Sequence, residues 1–77
     1  MISVRDQEFL NRLSKRLRSI REDQNLSQED LAYKSGLALS QIGRIERAEI
    51  NPTICTLKVL ADTFGLDLSE VFDLDGY

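Results

Sequence analysis

The stretch from residue 28 to residue 47, QEDLAYKSGLALSQIGRIER, constrains the fold of this chain more than any other. Its small and apolar residues have the spacing that two short helices need when they cross at a sharp turn. Ala32 is small enough for a close crossing, and Gly36 can adopt the left-handed backbone conformation that a tight turn requires. Ile42 and Ile45 share one helix face, which can return to the preceding helix.

The other face of the second helix in this stretch is short or cationic. It carries Ser40, Gly43, Arg44 and Arg47. Two crossed helices with such an outer face are typical of a helix-turn-helix, whose second helix enters the major groove of DNA. The alternative is that these arginines only keep an exposed helix face solvated.

Apolar periodicity and capping residues predict the other helices. The first helix spans about residues 4–24, on a stripe formed by Leu10, Leu13, Leu17 and Ile20. Ser27, with Asp30 three residues later, predicts the start of a second helix that ends near residue 34. The third helix covers about residues 39–47.

The last third of the chain contains two more predicted helices. Pro52 disfavours continued helix, and Thr53 can cap a fourth helix that ends at residue 64, before Gly65. Asp67 and Glu70 have the spacing of a capping box that opens a short fifth helix through residue 72. With no strand pattern, repeat or linker, residues 1–77 are predicted to form a single all-α domain of five helices.

Size and composition exclude several classes of protein. A single domain of 77 residues gains only about 3 to 5 kcal/mol from its core, so a homodimer is attractive on physical grounds. No apolar run approaches the roughly 20 residues that cross a bilayer, and no signal-type segment follows Met1. We therefore expect a cytoplasmic protein that does not bind membranes. One cysteine and no histidine leave almost no ligands for a metal, and we expect no cofactor.

The charge distribution matters more than the net charge of −3. Residues 1–48 hold nine of the ten Lys and Arg and seven of the thirteen Asp and Glu, whereas residues 49–77 hold one lysine and six acids. The net positive charge therefore lies in the part of the chain that contains the crossed helices. The local field near Arg44 and Arg47 then governs the approach of double-stranded DNA, despite the acidic second half.

Four segments, in this order, resemble one known family: LRSIRED, LSQEDLAYKSGL, QIGRIER and NPTICTLKVLADTFGLDLSEVF. The family is that of the lambda-repressor-like helix-turn-helix regulators of the xenobiotic-response-element (XRE) type, and the resemblance covers about residues 13–72. It implies a compact five-helix domain that binds operator DNA as a two-fold dimer, with its third helix in the major groove. It further implies a repressor-like transcriptional regulator with an inverted-repeat operator.

The resemblance also implies a set of DNA-contacting residues. These are Gln28, Leu39, Ser40, Gln41, Arg44 and Arg47. Gln28 falls where the family places a glutamine against a phosphate, in agreement with the anion preference of a helix N-terminus. The base-reading positions fall on Leu39, Ser40 and Arg44, and the other two residues of the third helix fall close to the groove wall.

These residues have different expected roles. The planar fork of Arg44 can donate two hydrogen bonds to a guanine, worth about 1 to 3 kcal/mol of discrimination. Arg47 lies nearer the helix end and is expected to hold a phosphate. Leu39 lies about 60° around the helix from Ile42, so core-edge packing and contact with a thymine methyl are both open. At Gln28, a capping-region glutamine with no DNA contact is the alternative.

An ion pair between the first and third helices is also expected. Arg21 and Glu46 occupy positions where the family often forms one, and Glu46 projects about 40° from Ile42, close to the core. The pair would fix the angle of the reading helix, and loss of one partner would leave a buried charge unpaired.

Three residues depart from the family pattern. Ala38 stands where a serine or threonine commonly caps the third helix. The absence of this cap costs the helix about 0.5 to 2 kcal/mol of stability. Gly43 adds a helix cost of about 1 kcal/mol relative to alanine. Ala48 replaces a usual glycine, so we expect the loop after the third helix to bend less freely. Together the three suggest weaker or more selective DNA binding.

The dimer interface is assigned to the end of the chain, where apolar residues crowd a short segment. They are Leu66, Leu68, Val71, Phe72 and Leu74. The segment looks too short to bury them all within one domain, and exposed apolar patches often mark partner sites. The alternative is that they close the core over the first helix, in which case the interface would lie around Phe9.

An enzyme is not expected, because the chain has no histidine, no phosphate-binding glycine loop and no nucleophile with a base at a recognisable spacing. Cys55 fits a small buried apolar residue or a half-exposed spacer better than a nucleophile. The rival function is an antitoxin-like or adaptor role, in which the same fold binds a toxin-like protein partner. The arginines on the outer face of the third helix favour DNA.

Overall fold

Five helices follow one another along residues 5–74, the part of the chain that the computed structural model describes. They are α1 (Gln7–Asp23), α2 (Gln28–Ser35), α3 (Leu39–Glu46), α4 (Ile54–Phe64) and α5 (Leu68–Val71). These residues contain no strand, so the predicted five-helix, all-α architecture is confirmed. None of the helices described is long and apolar enough to cross a membrane.

Local hydrogen bonds set the ends of α2 and α4 where the sequence predicted them. The Ser27 hydroxyl accepts from the Asp30 N–H at 3.0 Å, and the Asp30 carboxylate accepts from the Ser27 N–H at 3.0 Å, which forms a capping box. The Thr53 hydroxyl caps α4 by accepting a backbone N–H at 3.1 Å. Gly36 and Gly65 end α2 and α4 with φ angles of 78° and 73°, a conformation that favours glycine.

Helix α1 begins later than the apolar stripe suggested. The sequence put its start near residue 4, which lies outside the described residues, but Arg5 and Asp6 precede the helix. The Asp6 carboxylate caps α1 by accepting the N–H of Phe9 at 3.0 Å. Aspartate is a strong N-cap, so the helix starts after it rather than before it.

The turn after α3 differs from the expectation that Ala48 would restrict it. Ala48 adopts the left-handed conformation with φ 57°, at a cost of about 1 to 2 kcal/mol for a residue with a side chain. Its carbonyl accepts hydrogen bonds from Arg5 Nη2 at 3.2 Å and Gln7 Nε2 at 3.1 Å. Arg5, which precedes α1, and Gln7, its first residue, therefore stabilise a tight turn that the sequence pattern disfavoured.

The core takes residues from every helix and from the segment after α5. Its buried members are Leu13, Leu17, Ile20, Leu31, Ile42, Ile45, Leu57, Leu60, Ala61, Phe64, Val71 and Leu74. Helix α3 packs against both α1 and α2, while α4 packs against α2 and α5. The crossed helices α2 and α3 are thus held on a base formed by the rest of the domain.

The expected dimer interface needs a correction at two of its five residues. Val71 and Leu74 retain only 0% and 5% exposure within the single chain and belong to its core. The segment is long enough to bury them because α5 packs back against α1 as well as α4. Leu66, Leu68 and Phe72 are half-buried and pack against the edge of the core.

Candidate nucleic-acid interface

Helix α3 has one fully buried face and one exposed face. Ile42 and Ile45 are buried at 0% and 3% exposure, and the Ser14 hydroxyl of α1 donates to the Ile45 carbonyl at 2.6 Å. The hydrogen bond from Ser14 fixes the C-terminal half of the α3 backbone against α1. The opposite face is therefore presented outward by packing and hydrogen bonding together.

The outward face carries most of the residues assigned to DNA contact. Ser40 and Arg44 are exposed, Gln41 is half-buried, and Leu39 keeps 44% of its surface accessible. That exposure leaves the Leu39 side chain available to a methyl group in a groove, and Leu39 is not among the partly buried residues that pack against the core. The structure thus brings the predicted base-reading positions together on one accessible helix surface.

A buried carboxylate joins the three helices that form this surface. Glu46 of α3 is only 5% exposed, and its two oxygens accept from Arg21 Nε at 2.7 Å and Arg21 Nη2 at 3.0 Å. Arg21 Nη1 also donates to the Leu26 carbonyl at 2.8 Å, between α1 and α2. The hydrogen bond to Glu46 raises the pKa of Arg21 above its ordinary value, so the guanidinium stays charged.

Gln28, at the first position of α2, is the third partner of Glu46. Its Nε2 donates to Glu46 Oε1 at 3.0 Å. A primary amide has two N–H donors, and this hydrogen bond uses one of them. The Gln28 side chain is thereby oriented by α3, and its second N–H and its carbonyl oxygen are left for other partners at the N-terminus of α2.

Arg47 follows α3 and folds back along it. Its Nη1 lies 2.9 Å from the position that a Cβ on Gly43 would occupy, so the guanidinium covers Gly43. Arg47 Nε donates to Glu49 Oε2 at 2.5 Å. The hydrogen bond and charge of Arg47 lower the pKa of Glu49, so the carboxylate remains ionised at neutral pH.

Residues 5–74 contain no group of three or more His, Cys, Asp or Glu residues that could hold a metal ion. Cys55 is exposed near the start of α4. It is therefore not the small buried apolar residue that was one of the two interpretations of its sequence context.

The comparison with known families decides the classification. A helix-turn-helix family model (HTH_3) matches residues 17–71, from the middle of α1 to the end of α5. The chain belongs to the helix-turn-helix family. The matched range includes the whole of the crossed pair α2 and α3, together with the Glu46 contacts that fix it.

Two relatives within this helix-turn-helix family are transcriptional or control proteins by name. The HTH-type transcriptional regulator PuuR of Escherichia coli (strain K12) is 48% identical over 58 residues, 75% of this chain and 31% of PuuR. The control protein C.SmaI of Serratia marcescens is 41% identical over 64 residues, 83% of this chain and 76% of C.SmaI. The chain therefore spans about a third of the length of PuuR. The names agree with the prediction that this is a DNA-binding family rather than an enzyme family.

The fold of this helix-turn-helix chain is also found in a protein bound to DNA. The restriction-modification controller protein C.Esp1396I, solved as a tetramer in complex with its natural 35 base-pair operator, superposes with a TM-score of 0.79 at 34% identity. The alignment covers 84% of this chain and 86% of C.Esp1396I.

Sequence reasoning missed two arrangements in this helix-turn-helix. It placed Gln28 at a phosphate but did not foresee its bond to Glu46, which depends on how α2 and α3 cross. It also left the partner of Arg47 unassigned, because Glu49 meets it only through the left-handed turn at Ala48. The helical pattern also gave no prediction for Tyr33 of α2, whose surface is 91% exposed.

Proposed function

We propose that this chain is a sequence-specific, DNA-binding transcriptional regulator that binds an inverted-repeat operator as a homodimer, with α3 in the major groove. One observation carries the proposal: the buried Glu46 carboxylate ties α3 to both α1 and α2, so that the exposed face of α3 is held rigidly. Rigid presentation of a reading helix is what groove recognition requires, because base contacts depend on helix angle.

The roles of the exposed residues follow from their chemistry. Arg44 donates to O6 and N7 of a guanine, Ser40 donates to a base edge, and Leu39 contacts a thymine methyl. Gln41, half-buried at the side of α3, meets the groove wall. Gln28 donates its remaining amide N–H to a phosphate at the N-terminus of α2, where the helix dipole favours an anion.

The homodimer uses the exposed parts of Leu66, Leu68 and Phe72, which lie at the edge of the core. Two-fold symmetry then places two copies of α3 about one DNA turn apart, roughly 34 Å, with half-site centres about 10 base pairs apart. The assembly of C.Esp1396I as a tetramer on its operator supports self-association in a relative of this size.

Selection of binding sites from random duplex DNA tests the DNA-binding proposal. We expect an inverted repeat to be enriched, and Arg44→Ala to flatten preference at one base pair in each half-site. Gln28→Ala is expected to weaken all sequences about equally, because phosphate contacts carry no sequence information. Lys58→Ala is the matched control, since this exposed cation on α4 pairs with Asp62 and lies outside the proposed interface.

The opposite result would favour the rival function. Enrichment of no motif at low salt would contradict the regulator and support an antitoxin-like or adaptor role for the same fold. Equal loss of specificity in the Arg44 and Gln28 variants would contradict the division between base and phosphate contacts.

Sedimentation equilibrium tests the interface. Leu66→Ser and Leu68→Ser are expected to shift the chain toward monomer and to lower operator affinity, while circular dichroism shows retained helix. Ile54→Ser is the control, because Ile54 is apolar and exposed but lies at the other end of α4. If only the Ile54 variant dissociated, the interface would lie at the start of α4.

A further inference from the structure

The side chain of Arg47 packs over Gly43 on the outward face of α3. They are one helical turn apart, and residues three and four apart lie on the same helix face. Because Gly43 has no side chain, the Arg47 guanidinium fills the space above it, with Nη1, Cζ and Nη2 at 2.9, 3.7 and 3.8 Å from the ideal Cβ position. The charged group of Arg47 therefore lies toward the middle of α3 rather than beyond its end.

This position differs from that of a phosphate contact. An arginine that extends outward from the last turn of a reading helix meets the DNA backbone, where a single positive charge is enough. The N-terminal half of such a helix faces the base edges. The fold-back over Gly43 moves the guanidinium toward that half, onto the face that also carries Ser40.

Glu49 orients the guanidinium. Its carboxylate accepts the Nε–H of Arg47, and no other acceptor within residues 5–74 is bonded to the two Nη nitrogens. An arginine whose Nε is occupied still presents two parallel Nη–H donors at its end, which match O6 and N7 of guanine. Glu49 also offsets part of the positive charge, which weakens attraction to a phosphate more than it weakens bidentate hydrogen bonding.

The backbone holds Glu49 in place. The left-handed turn at Ala48 directs the chain back, so that the Glu49 N–H donates to the Arg44 carbonyl at 2.9 Å. The Glu49 carbonyl in turn accepts from Arg5 Nη2 at 3.3 Å. The backbone of the residue that orients Arg47 is thus held by both α3 and the segment before α1.

We propose that Arg47 reads a guanine in the major groove, that Gly43 provides the space for its guanidinium, and that Glu49 is the positioning residue. This inference rests on the proposed DNA-binding function and replaces the phosphate role expected for Arg47. It makes Gly43 a determinant of specificity, although glycine has no side chain to contact a base.

Competition binding with operator variants that differ at each base pair tests the assignment of Arg47. We expect both Arg47→Ala and Arg47→Lys to lose roughly 5- to 150-fold of guanine preference at one base pair per half-site. The lysine variant is decisive because it keeps the charge but cannot form the bidentate pair. If Arg47→Lys kept full preference and Arg47→Ala weakened all sequences equally, Arg47 would be a phosphate contact and the proposal would be wrong.

Variants of the other two residues test how Arg47 is positioned. Glu49→Gln is expected to reduce preference at the same base pair while affinity for unrelated DNA stays equal or rises, since a negative charge is removed. Gly43→Ala is expected to reduce it too, with no fall in melting temperature, because alanine favours helix. Adding Gly43→Ala to Arg47→Ala should cause no further loss of preference.

The outcomes separate this inference from the function on which it rests. If the wild-type chain selects no motif, both fail together. If a motif is selected but Gly43→Ala and Glu49→Gln change affinity uniformly across all operator variants, only the positioning roles fail. Arg44→Ala serves as the control, and its expected effect lies at a different base pair.

Discussion

Glu46 is the residue that joins α3 to both α1 and α2. A buried carboxylate is costly unless its oxygens are paired, and here they accept two hydrogen bonds from Arg21 and one from Gln28. Such a group adds little net stability compared with an apolar core, but the loss of one partner leaves the other charge buried and unpaired. The same carboxylate positions a residue proposed to contact DNA.

We predict that Glu46→Ala lowers the free energy of unfolding by about 3 to 5 kcal/mol, because Arg21 is left charged and largely buried. Urea unfolding at neutral pH would measure the loss. Replacing both Arg21 and Glu46 by leucine should cost less than Glu46→Ala alone, since no charge is stranded. Arg21→Leu and Glu46→Leu, each made alone, complete the comparison, and a double variant that loses as much stability as the two single variants together would contradict the coupling.

At the scale of the element, α2 and α3 differ in how they begin. Both have eight residues, a length that is marginal for an isolated helix. The capping box of Ser27 and Asp30 stabilises α2, whereas Ala38 gives α3 no side-chain cap. Helix α3 therefore depends on burial of Ile42 and Ile45 for its stability.

Ala38→Ser is expected to stabilise the domain by about 0.5 to 2 kcal/mol, because the hydroxyl would accept a free N–H in the first turn of α3. Thermal unfolding followed by circular dichroism would measure the gain. Ser27→Ala, the matched change at α2, should lower the melting temperature. An unchanged melting temperature for Ala38→Ser would mean that the N-terminus of α3 is already satisfied by water.

The capping box of α2 also predicts a pH dependence. Hydrogen bonds from the backbone and hydroxyl of Ser27 lower the pKa of Asp30 in the folded chain. The carboxylate therefore stabilises the fold fully above its ordinary pKa of about 4, and this contribution is lost as pH falls through the lowered folded value. Measured from pH 7 downward, the stability difference between wild type and Asp30→Asn should shrink in acid. A constant difference would contradict this linkage.

At the scale of the whole molecule, the C-terminal segment closes the core. Val71 and Leu74 lie among residues from the other helices, and α5 contacts both α1 and α4. A chain of this size has few core residues to spare, so each contributes a large share of the stability. Val71 and Leu74 therefore belong to the core of the single chain.

We expect Leu74→Ala to cost about 2 to 5 kcal/mol in the free energy of unfolding, the usual range for a buried leucine. Ile54→Ala, at a residue 58% exposed, should cost less than about 0.5 kcal/mol. Denaturant unfolding measures both. If Leu74→Ala left stability unchanged and instead dissociated an oligomer, Leu74 would belong to the dimer interface and not to the core.

The sequence by itself determined the five helices and the faces of α3. Periodic apolar residues, the caps at Ser27 and Thr53 and the glycines at residues 36 and 65 act within a few residues of one another, so their effects can be read locally. The sequence also predicted that Glu46 lies close to the core, because the helical angle between Glu46 and Ile42 depends only on their spacing along α3.

Only the tertiary structure decided the rest, because it depends on contacts between residues far apart in sequence. Burial of Val71 and Leu74 required α5 to pack on α1, and the bond of Gln28 to Glu46 required α2 and α3 to cross at one angle. The contact of Arg47 with Glu49 depended on the left-handed turn at Ala48, which a distant arginine and glutamine stabilise through the Ala48 carbonyl. Local sequence patterns do not predict such contacts, because the free energy of a long-range contact is gained only when the whole domain is assembled.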